Sequence, residues 1–80
     1  MSEIMALRGR LATNEKLAHA LTVGIDCDID ELRSIADKFE VKTELKTERM
    51  VILTDRIDAQ VKKLRAINEQ IKAIHKELGE

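Results

Sequence analysis

The chain has 80 residues, one small domain at most, near the size at which a single core only just suffices. It is 44% hydrophobic and 36% charged with a net charge of -1, which argues against disorder and leaves no global field to attract nucleic acid or a membrane surface. The single cysteine, Cys27, excludes an intrachain disulfide framework and a multi-cysteine zinc site, and fits a reducing, cytoplasmic setting.

No apolar run approaches the roughly 20 residues that span a bilayer. Segment 5–24 is amphipathic and carries Arg8, Arg10 and Lys16, as a transit peptide would, but Glu3, Glu15 and its heptad order argue against that. Proline is absent, the glycines are Gly9, Gly24 and Gly79, and Phe39 is the only aromatic residue. Such a composition suits thin helical layers and leaves few places for the chain to turn.

The first predicted helix runs over about 3–23. Ile4, Leu7, Leu11, Ala18, Leu21 and Ile25 keep a seven-residue register, with Asn14 at its polar position and Ser2 as N-cap. Gly24 reads as the stop, since glycine freely takes the left-handed conformation that ends many helices. Asp26, Asp28, Asp30 and Glu31 follow. Asp28 and Glu31 have capping-box spacing, and acids in a first turn complement the helix dipole. The turn is therefore expected at 24–28.

The second helix is expected over about 29–78, roughly 75 Å long at 1.5 Å per residue if continuous through 42–47; the alternative is a break near 42–47, giving three helices. Ile29, Leu32, Ala36 and Phe39 share a register with the strongest signal in the chain. That signal is the seam Met50, Leu53, Ile57, Gln60, Leu64, Ile67, Ile71, Ile74 and Leu78, stepping by three and four as helices do when they wind together. It lapses only at Thr43 and Lys46.

A first helix of about 30 Å covers the second only to about residue 49. The seam over 50–78 is then left without a partner in the chain. At about 1.5–3 kcal/mol per buried large side chain, this predicts self-association. The expected architecture is an all-α helical hairpin assembling into an oligomeric coiled coil or helical bundle: a homodimer first, a tetramer next, with another helical protein as a further partner. Gln60 is expected to fix register, as a polar seam residue can.

The acidic turn is the sharpest candidate for other chemistry. A hairpin tipped by carboxylates resembles, in outline, the factors that enter the secondary channel of bacterial RNA polymerase, where tip acids act near the catalytic magnesium. On that resemblance Asp26, Asp28, Asp30 and Glu31 would be the tip. The same acids have part of a calcium-loop spacing, but Glu31 stands where that loop needs glycine. Lys62, Lys63 and Arg65 are a possible phosphate contact, diluted by Asp58 and Glu69. His19, His75 and Cys27 lack the neighbours that a metal face or an activated nucleophile requires. The reading is a non-enzymatic protein without cofactor or membrane partner, acting as adaptor, scaffold or regulator through helix–helix contacts. The alternatives are a regulator of a nucleic-acid machine, and a small chaperone or inhibitor that offers its apolar seam to another protein.

Overall fold

The computed structural model describes residues 2–37 and 44–79, with side chains over 3–37 and 47–79. The chain is an all-α helical hairpin. Helix α1 spans Ser2–Asp37 and α2 spans Glu44–Glu77, 36 and 34 residues long. They lie antiparallel: Glu31 meets Arg49, Asp28 meets Arg56, Gly24 meets Gln60, and Leu7 and Glu77 line one groove. The molecule is a rod of 61 × 16 × 14 Å, one helix long and two helices wide. A straight 50-residue helix alone would measure about 75 Å.

These dimensions correct the expected boundaries. α1 does not stop at Gly24 but continues for 13 more residues to Asp37. A lone glycine costs a helix about 1 kcal/mol, too little to end one whose face is buried on both sides of it. The seam of α1 keeps stepping past Leu21 through Ile25, Asp28, Leu32 and Ile35, all buried or half-buried. Ile29 and Ala36, expected on the seam, lie beside it; Ile29 is half-buried and Ala36 exposed. The second helix is not continuous from residue 29, because 29–37 belong to α1. Phe39 and the stretch 42–43 lie outside the described residues.

With helices of matched length, the seam over 50–78 is not left over. Leu53 and Ile74 are 0% and 1% exposed against α1 of the same chain, and Met50, Ile57, Gln60, Leu64, Ile67, Ile71 and Leu78 are half-buried. The length mismatch from which an intermolecular seam was expected does not exist. α2 does end where expected: the Leu78 N–H donates to the Ile74 carbonyl, and Gly79 takes a φ of 80°. No described helix is long and apolar enough to cross a membrane.

Candidate functional site

The middle of the hairpin holds its most specific chemistry. Asp28 sits at a seam position and is 6% exposed. Burying a carboxylate is costly unless it is paired, and Arg56 reaches across from α2 to pair it. The Arg56 Nε–H donates to Asp28 Oδ2 at 2.8 Å and Nη2–H to Oδ1 at 2.7 Å. One turn along α1 and two along α2, the Arg49 Nε–H donates to Glu31 Oε2 at 2.7 Å and Nη2–H to Oε1 at 3.0 Å. Both pairs are two-pronged, a geometry the guanidinium fork provides and lysine does not.

The hydrogen bonds from Arg56 hold the Asp28 carboxyl below its ordinary range; burial pushes the other way, and the charges of Arg56 and Arg49 add to the lowering. Glu31 is lowered mainly by its hydrogen bonds from Arg49, against burial and the nearby Asp28. Arg49 and Arg56 are pushed up in turn by the acids they bind. The Arg49–Glu31 side chains are 42% and 41% exposed, so water screens that pair more than the Asp28 pair, whose acid side chain is 9% exposed.

Gly24 and Gln60 form the adjoining layer. A Cβ at Gly24 would stand 3.0 Å from Gln60 Nε2, so the missing side chain makes room for the glutamine. Gln60 Oε1 is buried and has no hydrogen-bond partner among the described residues. The glycine read as a helix stop is instead the hole that receives a seam residue from the opposite helix.

The four candidate tip acids thus lie within α1, not at a turn. Asp28 and Glu31 are held by arginines, while Asp26 and Asp30 are exposed. A channel-entering tip made of these residues loses its geometry. Among the described residues no group of three His, Cys, Asp or Glu is placed to hold a metal ion. Lys62, Lys63 and Arg65 are exposed along α2, and Lys62 Nζ lies 3.0 Å from Asp58 Oδ2, one turn away. Cys27 and His19 are exposed, and His75 is half-buried. An open groove between the helices is lined by Ala6, Gly9, Arg10, Thr13, Asn14 and Gln70.

Comparison with known protein families, curated proteins and solved structures finds no match to this chain.

Sequence reasoning missed Asp28, Arg56, Arg49 and Gly24 as a set. A signal for them was present. Carrying the three-and-four stepping of the first helix past Leu21 lands on Asp28, and setting two helices of matched length antiparallel puts Asp28 and Glu31 against Arg56 and Arg49.

Proposed function

We propose that this protein is a small, non-enzymatic coiled-coil module that self-associates and serves as an adaptor, scaffold or regulator through helix–helix contacts. One observation carries the reading: the hairpin covers its seam incompletely. Among the described residues the buried apolar side chains are Ile25, Leu53 and Ile74, and the other apolar seam residues keep part of their surface in water. Two helices shield a seam between them but leave both flanks open, and a wider helical bundle closes a flank. The matched arginine–acid pairs support a rod of fixed register, as a module that presents a helical face requires.

The test is molar mass by sedimentation together with helix content, both followed across a dilution series. The expected outcome is a mass above one chain at high concentration that falls on dilution. A mass of one chain throughout would remove the self-association and leave only contacts with other helical proteins.

A further inference from the structure

The outer face of α2, turned to solvent, carries its charges in two blocks. In the first half of the helix stand Glu48, Asp55 and Asp58, all exposed. In the second half stand Lys62, Arg65, Lys72 and Lys76, also exposed, with Glu69 the acid among them. The rod as a whole has the same polarity. Because the helices are antiparallel, residues 3–20 lie beside 62–79, a half with eight Lys and Arg to four Asp and Glu. Residues 21–37 lie beside 47–61, a half with three Lys and Arg to eight Asp and Glu. A net charge of -1 therefore hides two halves of opposite sign.

The same face bears exposed apolar side chains. Val51 and Ile52 are 55% and 52% exposed and, with Thr47 and Glu48, line a pocket open to solvent. Ala59 and Ala66, exposed further along, add no bulk that would hold another helix away.

We propose that a second copy of the chain docks on this face, the two α2 helices antiparallel about a two-fold axis near residue 60. This docking rests on the self-association proposed above and gives it a surface, the outer face of α2. Charge complementarity selects the occupant. An antiparallel two-fold contact sets the first half of one helix on the second half of its copy. About residue 60, Glu48 faces the partner's Lys72, Asp55 the partner's Arg65 and Asp58 the partner's Lys62, and the three pairs recur by symmetry. Glu69 falls opposite the partner's Val51 and meets no acid. At the axis, Lys62 Nζ already lies 3.0 Å from Asp58 Oδ2 of its own helix, so the two copies join four charges of alternating sign. Ile52 falls close to the partner's Ala66, a large side chain against a small one. A parallel copy in register would set each block on its like. Exposed ion pairs are individually weak, so charge fixes partner and direction while Val51 and Ile52 supply apolar contact.

The experiment follows sedimentation mass and circular dichroism of the wild-type chain, of Asp55→Lys/Asp58→Lys, of Lys62→Glu/Arg65→Glu, and of an equimolar mixture of the two variants. The expected result is two chains for wild type. Each variant alone should have the mass of one, with at least a tenfold weaker association and its helix content kept. The mixture should regain the mass of two, since each reversed block then meets its opposite. If a variant loses its helix content, Ala59→Arg, exposed beside the axis, takes its place with the same expected loss of mass. Wild-type mass kept by the variants alone, or a mixture that fails to regain it, overturns this surface and leaves self-association standing. A wild-type mass of one chain overturns both.

Discussion

At the scale of single residues, the ion pairs and the glycines make opposite demands on the chain. Asp28 and Glu31 have ordinary carboxyl values of 3.8 and 4.5, and both are lowered in the hairpin. The unfolded chain therefore takes up protons first as pH falls. The stability these groups contribute is present above their unfolded values and lost as pH drops through the folded ones. Thermal melts from pH 7 to pH 2 should show the midpoint falling below about pH 4.5, with a shallower fall in Asp28→Asn. Gly9 has nothing within 4 Å of an added Cβ, so Gly9→Ala should stabilise the hairpin by about 1 kcal/mol in urea melts. Gly24→Ala should gain less, because the new methyl meets Gln60. Its gain should return in a Gln60→Ala background, where the coupling is read as a double-mutant cycle.

At the scale of the helices, the decisive quantity is agreement between registers rather than local punctuation. Truncating a fully buried seam residue, Leu53→Ala or Ile74→Ala, should cost about 2–5 kcal/mol, whereas Ile52→Ala, 52% exposed, should change stability by less than about 0.5 kcal/mol. Denaturant midpoints of the three variants check this ordering. Leu64→Asp with Ile71→Asp should open the hairpin itself, since both half-buried side chains sit in the seam between α1 and α2. The helical class, the seam over 50–78 and the end of α2 at Gly79 were legible from the spacing of apolar residues. The turn was not. Gly24 with four acids after it has every local mark of a stop, and those marks are worth about 1 kcal/mol each. Continuing the seam through Ile25, Leu32 and Ile35 outweighs them, a tertiary preference overriding a local one. Asp28 is missed for a related reason: a stop placed at Gly24 cuts off the three-and-four stepping that would reach it, and its partner Arg56 lies 28 residues away.

At the scale of the whole molecule, the 13 residues by which α1 runs past Gly24 change what the seam is for. A short helix on a long one leaves half the apolar stripe to a neighbour; two equal helices cover each other and leave only their flanks. The seam read from the sequence as an interface between chains is therefore the packing surface within the hairpin. The antiparallel arrangement has a mechanical corollary. Glu3 and Glu77 border the same groove, so the outer ends of both helices lie together at one end of the rod. Tension applied there would load one layer of side chains at a time. The hairpin would unzip from its ends inward, and the Asp28–Arg56 and Glu31–Arg49 layers, set toward the far end, would be among the last to part.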